Sequence, residues 1–237
     1  MDKTNYAIRF VLTDTDKKYP QIQKADSPFH TLIAYEICRS VIYSHESEIY
    51  PWRFHRLFQD EHMNQLTFRF SSSEEICSNI MDDIGNNKTY KLLKDLGLLQ
   101  LNEDGNLLCV AKGPDGEPKQ WPKEINLVWP HFICGASKSW LEMIHLFCIY
   151  LSVGGTKAES FEDRIAFYNQ INSKIDSMWV KWGGHAFNHH LNALFGYKYI
   201  NVNFSMNSIK DMNFILAPIA TDIGNIPMPG IKAKMRF

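Results

Sequence analysis

Apolar positions set out the elements before any single residue is weighed. Residues 6–12 (YAIRFVL) read as a first strand, followed by a polar loop to Asp26. Ser27 suits an N-cap and Pro28 the first helical position, where a missing N–H costs nothing. Leu32, Ile33, Ile37, Val41 and Ile42 then recur at helical spacing. Residues 49–59 (IYPWRFHRLFQ) and 65–71 (QLTFRFS) are strand-like and flank the polar connector DEHMN, which predicts a hairpin. In the second strand Leu66, Phe68 and Phe70 share one face, with Thr67 and Arg69 on the other. If Phe58 pairs with Leu66, His55 lies opposite Arg69 and Arg56 joins the Phe-rich face. The other parity sets Arg56 opposite Thr67, and both registers stay open at this level.

Ser72-Ser73-Glu74-Glu75 opens a helix through Ile80 and Ile84, its first turn rich in carboxylates. Thr89 to Leu96 is a short helix ended by Gly97. LLQLNEDGNLLCVA predicts a hairpin with its turn at Glu103-Asp104-Gly105, and KGPDGEPKQWP, from Lys112 to Pro122, a loop. Trp129-Pro130-His131 is expected to be irregular, ahead of a long helix from about Ser137 to Val153 that Gly154-Gly155 ends. Phe161, Ile165, Tyr168, Ile171, Ile175, Met178 and Trp182 step by three and four, giving an amphipathic helix from near Glu159. A third late helix runs from His185 to Leu194, YKYINVNF returns to strand, and residues 217–237 read as an extended tail. Strands and helices mix without a βαβ rhythm, so the expected fold is α+β: a mainly antiparallel sheet packed against several helices, in one domain over residues 1–237.

Composition narrows the classes. The chain has 237 residues, 45% hydrophobic, with 25 basic and 26 acidic side chains. That hydrophobicity with almost no net charge excludes a disordered protein. It also excludes a global positive field, so no extensive nucleic-acid surface is expected. The longest apolar stretch, Met143 to Val153, is shorter than a bilayer span and reads as a buried helix, with no membrane partner. Cys38, Cys77, Cys109, Cys134 and Cys148 are odd in number, without Cys-x-x-Cys spacing, and sit among apolar neighbours. They read as reduced core residues. With no signal-peptide run at the N-terminus, the expected location is cytoplasmic.

Gly-rich phosphate loops, Gly-x-Ser-x-Gly and paired-cysteine zinc patterns are absent from the sequence, so candidate chemistry rests on looser groupings. In GHAFNHHLNALFGY (184–197), His185 and His189 are four apart on one helical face, and Asn192 extends it. Three roles fit that face: local capping by exposed histidines, acid–base or substrate-binding work, or a metal site. In RFHRLFQDEHMNQLTFRF (53–70), Arg53, His55, Arg56, His62 and Arg69 crowd one ribbon. Arginines on neighbouring strands make a fork for a carboxylate, or else form a solvated face paired with residues such as Asp60. Trp121-Pro122, Trp129-Pro130 and Trp140 either wall a pocket or fill the core. His145, inside an apolar helix, reads as a hydrogen-bonded core histidine.

The hairpin and the histidine-rich helix together resemble the C-terminal elimination domain of lantibiotic dehydratases, which also occurs alone as thiopeptide-type bacteriocin biosynthesis proteins and pyridine-forming synthases. The family hairpin reads roughly Phe-Ile-Arg-Tyr-x-Asp, then Arg-Leu-Arg-Phe. Phe54-His55-Arg56-Leu57 with Asp60, followed by Thr67-Phe68-Arg69-Phe70, is similar. The family's late helix, His-Met-x-x-Asn-Arg-Leu-x-Gly, is similar to Asn188-His189-His190-Leu191-Asn192-Ala193-Leu194-Phe195-Gly196. Asn188 stands where the family has histidine, and Ala193 where it has arginine.

The resemblance implies a biosynthetic enzyme of specialised metabolism: a lyase acting without cofactor, by acid–base chemistry, on a modified peptide or carboxylate-bearing intermediate. Arg56 and Arg69 would hold a glutamyl carboxylate as it leaves. His189 or His190, with His185, would move the proton, and His55, Asn192 and Trp129 would contact substrate. That mechanism requires the two arginines and a late imidazole to border one hollow. A non-catalytic module binding a peptide or small acid for a partner enzyme is a second expectation. A metal-dependent hydrolase using His185 and His189 is a third. Expected partners are a small-molecule or peptide substrate and either a second copy of the chain or a partner biosynthetic enzyme.

Overall fold

The computed structural model describes residues 3–13, 15–19, 26–57, 64–112, 123–153 and 160–181. The chain divides into two compact units, Met1–Ser177 and Met178–Phe237. The described residues belong to the first, apart from 178–181. Of the expected loop from Lys112 to Pro122 only Lys112 is described, and it belongs to a strand; the late helix, the following strand and the tail lie outside the described residues.

Four strands form one antiparallel sheet: β1 (Thr4–Val11), β2 (Arg53–Leu57), β3 (Gln65–Ser72) and β4 (Leu108–Lys112), in the order β2-β3-β1-β4. The α+β expectation holds. One sheet face carries Ile8, Phe10, Leu66 and Phe68, all fully buried, and it packs against helices. Alternation sends the opposite residues of each strand to the second face.

Helices α1 (Thr15–Lys18) and α2 (Asp26–Leu32) follow β1, and α2 runs directly into a π-helical stretch, Ile33–Cys38, and then α3 (Arg39–Ile49). The N–H of Arg39 bonds to Ala34 O, the wider i to i−5 step. Ile33, Ala34, Ile37 and Cys38 face the core, while Tyr35 and Glu36 are only partly buried. The expected strand over 49–59 is shorter than its pattern. Ile49 still belongs to α3, Tyr50 turns extended before Pro51, and β2 starts at Arg53. Proline supplies the reason: it cannot continue the helix and forces its predecessor out of the helical region.

Helix α4 (Glu74–Asn86) is capped by Ser73, whose hydroxyl accepts from Ile76 N at 3.3 Å. Helix α5 (Lys88–Asp95) is capped by Asn87, which accepts from Thr89 N at 2.8 Å and Tyr90 N at 3.1 Å. Gly97, at φ 61°, turns the chain out of α5. The expected hairpin after it forms only in part. The turn closes through Gly105 N–H to Asn102 O at 3.0 Å, but Leu108–Lys112 pairs with β1, and Leu99 makes a lone bridge to Leu12. The central strand offers that segment a buried edge, which outcompetes a free hairpin.

Helix α6 (Lys123–Val153) corrects the expected break at Trp129-Pro130-His131, since Pro130 lies inside it. Proline removes one N–H bond there, yet the long helix around it is anchored elsewhere. Ser137 Oγ accepts from Phe54 N at 3.0 Å, satisfying a donor of edge strand β2. Trp140 meets Phe54 edge to face at 5.5 Å. Lys138 pairs with Glu46 at 2.8 Å, and the Tyr43 hydroxyl donates to Glu142, both tying α6 to α3. Cys134, Leu141, Ile144 and Cys148 form its buried stripe.

The reading of Met143–Val153 as a buried helix holds for that stripe alone: Leu146 is 63% exposed and Tyr150 71%. By length and composition, Leu127–Ser152 is apolar enough to cross a membrane. Helix α7 (Phe161–Met178) follows. Its Ile165, Tyr168, Ile171 and Ile175 are buried at the expected spacing, and Trp182 lies outside the described residues.

Glu36, exposed by the π-helical stretch, ties α7 to α5. It accepts from Thr89 Oγ1 at 2.6 Å and from Tyr168 OH at 2.7 Å, and pairs with the Arg164 guanidinium. Burial, then the Glu36 carboxylate, pushes the Tyr168 phenol well above its usual range, so it stays a donor.

Candidate functional site

The register of β2 on β3 decides which hairpin side chains share a surface. Arg53 pairs with Arg69, Phe54 with Phe68, His55 with Thr67 and Arg56 with Leu66. This matches neither expected register. It agrees with the first only in sending Arg56 to the Phe-rich face. Phe54 meets Phe68 at 5.7 Å with the rings tilted by 40°, and Trp52 is buried beside both, so this register assembles a cross-strand aromatic cluster.

Arg56 and Arg69 therefore point to opposite sides of the sheet, which corrects the expectation that both hold one carboxylate. Arg56 is packed among helices. Its guanidinium lies 5.0 Å from the Trp140 ring centroid, and its Nε donates to His30 Nδ1 at 3.5 Å. Burial lowers its pKa to about 10, with Asp176 pulling the other way. His30 is fully buried. Burial first, and Arg56 second, lower its pKa to about 3, so it is neutral and presents Nδ1 as an acceptor. Beside it Thr31 Oγ1 donates to Asn172 Oδ1 at 2.7 Å. This is a packed polar seam between α2, α6, α7 and β2.

The other face gathers the remaining cations. Arg69 is flanked by Arg53 on β2 and Ala7 on β1, and Thr67 by His55 and Arg9. Arg9, Arg53 and Arg69 are half-buried and His55 is exposed. Between them Thr67 is 1% and Gln65 5% exposed, and Thr67 Oγ1 and Gln65 Oε1 are buried without a hydrogen-bond partner. The four strands contribute no Asp or Glu to this face. Chemically it is a cationic strip with a hydroxyl donor at its centre, suited to an anion.

Arg9 was missed at the level of sequence. Its signal was its place as the lone charge in YAIRFVL, readable only once β1 is known to lie beside β3. Trp129 sits half-buried in α6, its ring stacked on Phe132 at 5.6 Å. His145 is half-buried and meets Tyr35 OH at 2.9 Å, as a hydrogen-bonded core histidine should. His185, His189, His190 and Asn192 lie outside the described residues.

The chain matches no protein-family model, no curated protein and no solved structure. Among the described residues no group of three His, Cys, Asp or Glu side chains is placed to hold a metal ion. Hollows open among them at two places relevant here. One, of about 530 Å³, is lined by Tyr35, Cys148, Phe167 and Tyr168. The other, of about 480 Å³, lies between α4 and the segment Asn102–Cys109.

Proposed function

We propose that this chain binds a carboxylate-bearing ligand, a peptide or small acid, on the sheet face that carries Arg9, Arg53 and Arg69, with Arg53 and Arg69 as the fork. The observation that carries the reading is the direct pairing of Arg53 with Arg69. Two guanidinium groups side by side on adjacent strands offer matched donors to a single carboxylate, through charge-assisted hydrogen bonds. Arg9 adds a third cation to the same face, and Thr67 a hydroxyl.

A second reading, biosynthetic lyase chemistry on that ligand, is favoured by His55. It projects from the same face two residues from Arg53, where an imidazole can take a proton from a ligand whose carboxylate the arginines hold. The likeness of the hairpin to the elimination domain points the same way.

Calorimetric titration of the full chain with acidic and glutamylated peptides, against amidated controls, tests both, with the mixture then read by mass spectrometry. Binding is expected for the acidic series alone, weakened about tenfold or more in Arg53→Ala and in Arg69→Ala, as for loss of a charge-assisted contact. A loss of mass abolished by His55→Ala supports the lyase, and binding without mass change the module. Equal affinity for acidic and amidated peptides sinks the proposal.

A further inference from the structure

We propose that Cys77 and Cys109 form a reversible disulfide that joins α4 to the edge strand β4, a thiol-redox site separate from the cationic face. Their Sγ atoms are 3.8 Å apart. Cys77 belongs to the buried stripe Cys77, Ile80, Ile84 of α4. Cys109 lies opposite Ile8, on the helix-facing side of the sheet. The two sulfurs thus meet across one packing layer and need to close by about 1.8 Å to reach bonding distance.

The pair is asymmetric in access. Cys77 is 6% exposed, whereas Cys109 is half-buried and borders the hollow between α4 and Asn102–Cys109. Cys38, Cys134 and Cys148 are each buried in the core. Cys109 is therefore the sulfur that a small disulfide in the hollow reaches first.

The oxidant is a low-molecular-weight disulfide. The Cys109 thiolate attacks one of its sulfurs, forming a mixed disulfide and expelling one small thiolate, which takes the proton of Cys77. The Cys77 thiolate then attacks Cys109 Sγ, forming the internal bond and expelling the second small thiolate, which takes up the proton that Cys109 released to solvent on ionising. The protein dithiol loses two electrons and two protons, and the small disulfide becomes two thiols.

The full chain is incubated with oxidised glutathione, quenched in acid, alkylated and analysed by intact mass and peptide mapping. The expected result is a loss of two hydrogens, a Cys77–Cys109 cross-linked peptide, and full reversal by dithiothreitol. Cys77→Ser is expected to stop at one glutathione on Cys109, and Cys109→Ser to stay unmodified. The oxidised chain is expected to melt later by on the order of 5 °C, because the bond constrains the unfolded state across α5. A wild-type chain that retains glutathione, links a different pair of cysteines, or keeps both thiols alkylatable overturns the proposal.

Discussion

His30 and His45 respond to pH in opposite senses. His30 is buried and neutral in the fold, with its pKa lowered to about 3 from the usual 6.5 by burial and then by Arg56. As pH falls below 6.5 the unfolded chain gains a proton there that the folded chain refuses. Its contribution to stability is present above pH 6.5 and drains away toward pH 3. His45 is the reverse. Burial opposes its charge, but Asp83 at 3.0 Å and Glu48 at 3.2 Å outweigh that and raise its pKa. Its contribution is complete below pH 6.5 and is lost as pH rises through the folded value. Imidazole NMR titration is expected to show His45 still protonated above pH 6.5 and His30 unprotonated down to about pH 3. Midpoints in the reverse order would refute the assignment of environments. None of this was legible in the sequence, where His30 is one polar residue in a helical run; its burial follows from β2 and α6 closing over α2.

At the scale of elements, caps were the most legible feature, because they depend on a few adjacent residues. Ser73 and the carboxylates after it predicted the start of α4, and Gly97 the end of α5, as found. Ser73→Ala is expected to cost about 1 kcal/mol in urea unfolding. Asn87→Ala should cost more, up to about 2 kcal/mol, because Asn87 caps α5 and also donates Nδ2 to Glu36 O at 2.8 Å. Glu36→Gln is expected to cost about 1 kcal/mol, since Arg164 loses a charged partner where the two side chains are 27% and 22% exposed but keeps its hydrogen bond to Thr89 Oγ1. Neither the π-helical stretch that presents Glu36 nor the passage of Pro130 through α6 could be read locally. Both depend on what the helix packs against, and local propensity yields to that.

At the largest scale the described residues set a sheet, one face in the helical core and one carrying cations, beside a long helix with exposed apolar residues such as Leu146, Ile149 and Tyr150. That asymmetry has a measurable signature in α6. Leu141 is 2% exposed and Leu146 63%. Leu141→Ala is expected to cost roughly 2–5 kcal/mol, and Leu146→Ser less than about 0.5 kcal/mol, in the same urea titration. Comparable losses would mean that Leu146 is covered. By itself the sequence determined the α+β class, the start of α4, the end of α5, the α7 stripe and which residues alternate along each strand, but not the start of α2, which begins at Asp26, ahead of the expected Ser27 cap. The tertiary structure alone decided the partners across strands. A shift of two residues in β2 keeps every side chain on its face yet changes every neighbour, and it seats Arg53, not His55, against Arg69. It also decided that Arg56 belongs to the core, because strand parity separates it from Arg69 by the thickness of the sheet, whatever their closeness in sequence suggests.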